Sequence, residues 1–115
     1  MTAEHELPPD RVAGMSDAQL IDVREDYEHE AGHIPGSRWI DPTELTAAAG
    51  SLDQSRPVVF YCRSGDRSTM PAEAFRASGW EAYTLAGGLS GWVEAGQPLE
   101  PEDGEVAHRR PGPQT

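Results

Sequence analysis

The sequence has one cysteine, no lysine and no asparagine. A single cysteine excludes an internal disulfide framework and any multi-cysteine metal site. No apolar run approaches the ~20 residues that a membrane-spanning helix needs. The opening residues, Met1-Thr2-Ala3-Glu4-His5-Glu6, have neither a basic patch nor an apolar stretch, so they do not read as a secretory signal. Positive charge is scarce. Nine basic residues, all Arg, face 20 acids, for a formal net charge of −11. Nucleic acids and anionic membranes repel a chain of that sign, which argues against both as partners. Large aliphatic residues are also few. Fewer than one residue in five is Ile, Leu, Val or Phe, and with so high a net charge that composition by itself warns of disorder. Those residues are clustered, however, and Ala, Trp, Tyr and Met add to them. The 115 residues suffice for one domain with a small core and not for two. The expectation is an acidic, cytoplasmic, single-domain protein.

The charge is uneven. Residues 1–55 carry 12 acids and three Arg, whereas residues 56–115 carry eight acids and six Arg. Arg56, Arg63, Arg67 and Arg76 all lie near Cys62 in sequence, so the cysteine sits in the most basic stretch of an acidic chain.

Short apolar runs bounded by breakers predict strands. Pro57-Val58-Val59-Phe60-Tyr61 is the clearest. Its β-branched and aromatic residues follow one another without alternation, as in a strand buried on both faces of a parallel sheet. Leu20–Val23 and Trp80–Leu85 follow, with weaker pieces at Ser37–Ile40 and around His5–Leu7. Helical stretches alternate with them: Pro9–Gly14, Asp26–Ala31, Pro42–Ala49, Ser68–Ala77 and Ser90–Ala95. Asp41 is a candidate N-cap with Pro42 at the first helical position. Met70, Ala74 and Ala77 share helical spacing on the fourth of these. Alternating strands and helices predict an α/β fold with a mostly parallel sheet of about five strands. After Gly96 the chain becomes Pro- and acid-rich without aromatics. Residues 1–99 are therefore expected to form the domain and 100–115 a flexible tail.

The segment from Val58 to Ser68 carries the chemistry. A buried strand ends, Cys62 follows, and Arg63-Ser64-Gly65-Asp66-Arg67 leads to a helix beginning near Ser68. Ligands of α/β sheets bind beyond the carboxyl ends of the strands. A tight loop there turns its N–H groups inward, and the helix start adds partial positive charge. Such an anion cradle favours a thiolate over a thiol. Gly65 allows the close backbone approach that the turn needs. Arg63 and Arg67 offer fork-shaped donors suited to a sulfonate or phosphate. A lone cysteine after an apolar strand is more often a small buried hydrophobe. The Arg/Ser/Gly loop and the helix start that follow tilt the balance toward a reactive thiol.

Four motifs in order resemble those of single-domain rhodanese-like sulfurtransferases, over about residues 5–98. Ile21-Asp22-Val23-Arg24 resembles the family's Asp-Val-Arg strand end. Gly32-His33-Ile34-Pro35-Gly36-Ser37 resembles its Gly-His-Ile-Pro-Gly-Ala turn, with Ser for Ala. Cys62 to Ser68 resembles its active-site loop, and Gly87-Gly88 with Gly91-Trp92 its closing Gly-Gly…Gly-Trp. The resemblance implies a rhodanese-like three-layer fold and a two-step transfer of sulfane sulfur. Cys62 is then the catalytic nucleophile, taking sulfur from a donor such as thiosulfate and passing it from a persulfide to a thiol or carrier-protein acceptor. Arg63, Ser64, Gly65, Asp66, Arg67 and Ser68 would bind the small anionic donor, with no metal or organic cofactor.

Two alternatives use the same fold: a non-enzymatic persulfide carrier or regulatory binding module, and a phosphatase or arsenate reductase. Cysteine phosphatases that share the fold place Arg after five intervening residues. Here four residues separate Cys62 from Arg67, and Ser68 holds the phosphatase position. The shorter ring suits a sulfur atom and crowds a phosphate.

Outside the loop, Asp22 and Arg24 are expected to form a scaffold ion pair, and His33 to be a structural hydrogen-bonder. His5 and His29 are expected on the surface. Glu25, Asp26, Glu28 and Glu30 are expected to form a solvated helix face, and Trp39, Trp80 and Trp92 to pack in the core or at its rim. Asp66 is expected to turn toward solvent or a neighbouring Arg, because an inward carboxylate would oppose both thiolate and donor.

Overall fold

The computed structural model describes residues 5–64 and 67–107. Five parallel strands form the sheet: β1 (Glu6–Leu7), β2 (Gln19–Asp22), β3 (Arg38–Trp39), β4 (Val58–Tyr61) and β5 (Ala82–Leu85), in the spatial order β1-β5-β4-β2-β3. Between and after them run α1 (Pro9–Ala13), α2 (Asp26–Ala31), α3 (Leu45–Ala48), α4 (Thr69–Ala77) and α5 (Gly88–Glu94). The expected α/β architecture is the one observed.

β4 is the central strand, and every one of its residues is buried, which is why its sequence shows no polar alternation. The pleat sends Val58, Phe60 and Cys62 to one face and Val59 and Tyr61 to the other. On the first face they meet Ile21, Val23, Leu45, Ala72 and Phe75, so α3 and α4 cover it. Leu7, Val12, Ile34, Leu89 and Trp92 close the second face beneath α1 and α5. Each fully buried large apolar side chain stabilises the fold by about 1.5–3 kcal/mol, so two short clusters suffice for a small domain.

Two helical stretches differ from expectation. The stretch 42–49 is not one helix. A 3-10 turn, Pro42–Glu44, precedes the single α-turn of α3, and another, Ala49–Ser51, follows it. Only Leu45 of this stretch is buried, so little packing sustains a regular helix. Asp41 does cap it, accepting from the Thr43 N–H at 2.9 Å. On α4 the buried residues are Ala72 and Phe75, while Met70 is 78% exposed. Phe75 takes the inward position because the Phe60 and Trp80 rings are both there, each 5.0 Å from its centroid.

The expected flexible tail does not begin at residue 100. Glu100 pairs antiparallel with His33 through two backbone hydrogen bonds of 2.8 and 3.1 Å. Glu105 donates its N–H to the Ala31 carbonyl at 2.8 Å, and Val106 packs on the second core cluster. The crossing depends on glycine. A Cβ on Gly32 would collide with the Glu105 backbone, and one on Gly104 with the Ala31 carbonyl. Residues 108–115 of the expected tail lie outside the described residues. Among the described residues, no helix is long and apolar enough to cross a membrane.

Candidate active site

Cys62 is the first residue beyond β4, at the carboxyl end of the sheet, and α4 begins seven residues later. Its side chain is wholly buried and continues the inward alternation of the strand, against the α4 side of the core. The sulfur lies 3.8 Å from the hydroxyl of Ser68, itself buried at the start of α4. Ser68 therefore brings the start of α4 beside the cysteine. Gly65 and Asp66 lie outside the described residues, and with them the expected roles of both.

The Gly87-Gly88 motif holds the first part of this loop. Gly87 and Gly88 have φ of +75° and +59°, the left-handed region that only glycine enters cheaply. The turn presents the next amides to the loop. Leu89 N–H donates to the Cys62 carbonyl at 2.8 Å, and Ser90 N–H to the Arg63 carbonyl at 3.0 Å. Helix α5 thus anchors the backbone on which the cysteine stands.

Helix α2 holds the last part. Arg67 donates to both carboxylate oxygens of Glu28, at 2.8 and 3.1 Å. The Glu28 side chain is fully buried, contrary to the expected solvated face. Its Oε1 also accepts the Glu25 N–H at 3.0 Å and so closes a capping box at the start of α2. Burial opposes ionisation of Glu28, but the bonds from Arg67 and Glu25 outweigh it, and the carboxyl stays below its ordinary range.

Beneath α2 lies the expected scaffold pair. Arg24 reaches both oxygens of Asp22, at 2.9 and 2.6 Å, and donates to the Gly32 carbonyl at 2.8 Å. Burial opposes the Asp22 charge. Hydrogen bonds from His29 and Arg24 overcome it and lower the pKa. His29 is therefore no free surface residue: its Nδ1 is 2.9 Å from Asp22 Oδ2, and its ring stacks on His33 at 3.9 Å. His33 is a structural hydrogen-bonder as expected, with Nδ1 2.8 Å from the His29 carbonyl.

Tyr61 ties this assembly to the glycine-flanked turn. Its hydroxyl accepts the Ile34 N–H at 3.2 Å and lies 2.8 Å from Ser37 Oγ. Burial and the Asp22 carboxylate push the phenol above its usual pKa, so it stays protonated. Trp39 donates to the Arg24 carbonyl, and Trp92 is buried, both in packing roles.

Of the expected site residues, Cys62 and Ser68 are brought together, Ser64 is exposed, and Arg63 is half-buried. Arg63 Nε is buried and makes no hydrogen bond among the described residues. Arg67, expected to face a donor, is engaged by Glu28. Glu28 and His29 take part in the assembly around the loop although both are expected at the surface, and no local signal sets them apart from their neighbours. Among the described residues, no cluster of three or more His, Cys, Asp or Glu could hold a metal ion.

A parallel five-stranded α/β domain with a cysteine loop between its central strand and the following helix is the architecture of the rhodanese-like class. The family profile described as Rhodanese-like domain matches residues 9–95, and the chain belongs to that family. It is 42% identical over 81 residues to the uncharacterized protein YqhL of Bacillus subtilis, covering 70% of this chain and 64% of that protein. The chain thus spans less than two thirds of that relative. It is 33% identical to the thiosulfate sulfurtransferase GlpE of Pseudomonas paraeruginosa, over 77% of this chain and 81% of GlpE. The crystal structure of a rhodanese-related protein from Thermoplasma volcanium superposes with a TM-score of 0.76 at 26% identity, over 83% of this chain and 96% of the other.

Proposed function

We propose that this domain is a sulfurtransferase that carries sulfane sulfur on Cys62. The observation behind the reading is the placement of a buried cysteine at the carboxyl end of the central strand, with Ser68 at the start of the next helix beside its sulfur. Membership of a family that includes thiosulfate sulfurtransferases supports it. In the first step the Cys62 thiolate attacks the outer sulfur of thiosulfate. A bond forms between the two sulfurs, the donor's own S–S bond breaks, and its electron pair leaves with sulfite. In the second step a nucleophilic acceptor, cyanide or a thiol of a small molecule or carrier protein, takes the terminal sulfur and restores the thiolate. No external oxidant or reductant enters either step.

The loop supplies the electrostatics. The start of α4, which stands beside the sulfur, stabilises negative charge on the persulfide. Arg63 binds the donor's sulfonate. Its buried Nε, without a hydrogen-bond partner among the described residues, supports that role, since an unsatisfied buried donor is costly and gains most from a ligand oxygen. The proposed donor site also takes in Ser64, Gly65, Asp66, Arg67 and Ser68, as the family resemblance implies. The test is thiocyanate release from thiosulfate and cyanide by the purified chain. The reading expects turnover that Cys62→Ser abolishes, with no hydrolysis of an aryl phosphate. Equal turnover by Cys62→Ser, or phosphate hydrolysis dependent on Cys62, overturns it.

A further inference from the structure

We infer that Glu28 is a positioning residue for the sulfur-transfer loop, acting through Arg67; the inference rests on the sulfurtransferase reading. Glu28 lies 39 residues from Arg67 in sequence, on a different element, yet it grips that guanidinium with two hydrogen bonds from a fully buried carboxylate. A two-point bond to a planar fork fixes orientation as well as distance. Arg67 immediately precedes Ser68, whose hydroxyl stands beside the Cys62 sulfur. Fixing Arg67 therefore fixes the start of α4 beside the cysteine.

The carboxylate is itself held. Glu28 Oε1 also accepts the Glu25 N–H, and α2 continues into the Gly32–Ser37 turn pinned by Tyr61. One side chain thus connects a helix cap to the loop, and α5 secures the other side through Leu89 and Ser90. The pairing also neutralises the Arg67 charge at the loop wall. This leaves sulfonate recognition to Arg63 and gives Arg67 a shape-keeping role.

These two roles separate in kinetics. Loss of the Glu28 grip misplaces the loop around the reacting sulfur, so it lowers kcat. It also removes a negative charge from the neighbourhood of an anionic donor, so the KM for thiosulfate stays the same or falls. The test uses the whole chain with thiosulfate as donor, counting folded protein by circular dichroism. Glu28→Gln should lower kcat about tenfold or more with KM no higher than wild type. In an Arg67→Met background the same change should have less than about a twofold effect, because the partner is already gone. Should Glu28→Gln fail to fold, Arg67→Lys probes the link from the loop side and should show the same kcat-weighted loss. A kcat within about twofold of wild type for Glu28→Gln, or full additivity with Arg67→Met, overturns the inference. If the folded wild-type chain itself acquires no sulfur on Cys62, the sulfurtransferase reading fails first, and the two failures are told apart.

Discussion

Gly88 lies so close to the carbonyls of Cys62 and Arg63 that a Cβ built on it would sit 2.6 Å from either oxygen. The contact is backbone to backbone, so no side-chain rotation can relieve it, and the residue's φ of +59° adds left-handed strain for any other L-residue. Gly88→Ala should destabilise the domain by roughly 2–4 kcal/mol. It should also slow sulfur transfer in the fraction that stays folded, because the Leu89 and Ser90 bonds to the loop are displaced. Thermal melts beside single-turnover persulfide formation check this. Unchanged values in both would show that the close approach does not anchor the loop.

Tyr61 and Cys62 are neighbours in sequence but belong to opposite faces of the sheet. Tyr61→Phe removes the hydroxyl that serves the Ile34 N–H and Ser37, and it leaves a buried donor unpaired. The expected cost is about 1–3 kcal/mol of stability. The rate of persulfide formation should be close to wild type, since nothing on the Cys62 side moves. A large rate loss without a stability loss would contradict this division between the faces.

Acidification separates the buried carboxylates from the exposed ones. Asp22 has a lowered pKa in the fold, so its contribution to stability is complete above the unfolded value of about 4 and is lost as pH falls through the lower folded value. Relief of self-repulsion acts in the opposite direction as acids protonate in a chain of net charge −11. Comparison with Asp22→Asn cancels that background. The variant should melt well below wild type at neutral pH, and the gap should narrow as pH drops from 6 toward 3. A gap that widens on acidification would contradict the assigned sign.

Residues 100–106 should behave as part of the domain. A chain ending at Leu99 loses the His33–Glu100 pairing, the Glu105 bond to Ala31 and the Val106 contact. Its Tm should fall by several degrees relative to a chain ending at Ala107. Equal melting of the two truncations would show that the segment adds nothing.

Much of this architecture was legible from local pattern. The unbroken Val58–Tyr61 run marked the buried central strand, and helix formers followed by glycine marked α2. The position of Cys62 was legible because a strand end and a helix start lie on either side of it in sequence. What escaped was tertiary. Glu28 sits in a run with Glu25, Asp26 and Glu30, where nothing local distinguishes the one carboxylate that turns inward toward a distant Arg67. His29 is hidden for the same reason, since its partner Asp22 lies on the preceding strand. The segment after Gly96 is polar, and it packs through a backbone crossing at Gly32 and Gly104, which leaves no apolar periodicity to read. Met70 was misleading because helical spacing alone does not say which of two faces meets the core.

The most direct measurement is the intact mass of the purified chain after exposure to thiosulfate, with peptide mapping of the added mass. The account predicts a gain of one sulfur atom on Cys62, removed by cyanide and absent from Cys62→Ser. An unmodified Cys62 in folded protein, or sulfur located elsewhere on the chain, would contradict it.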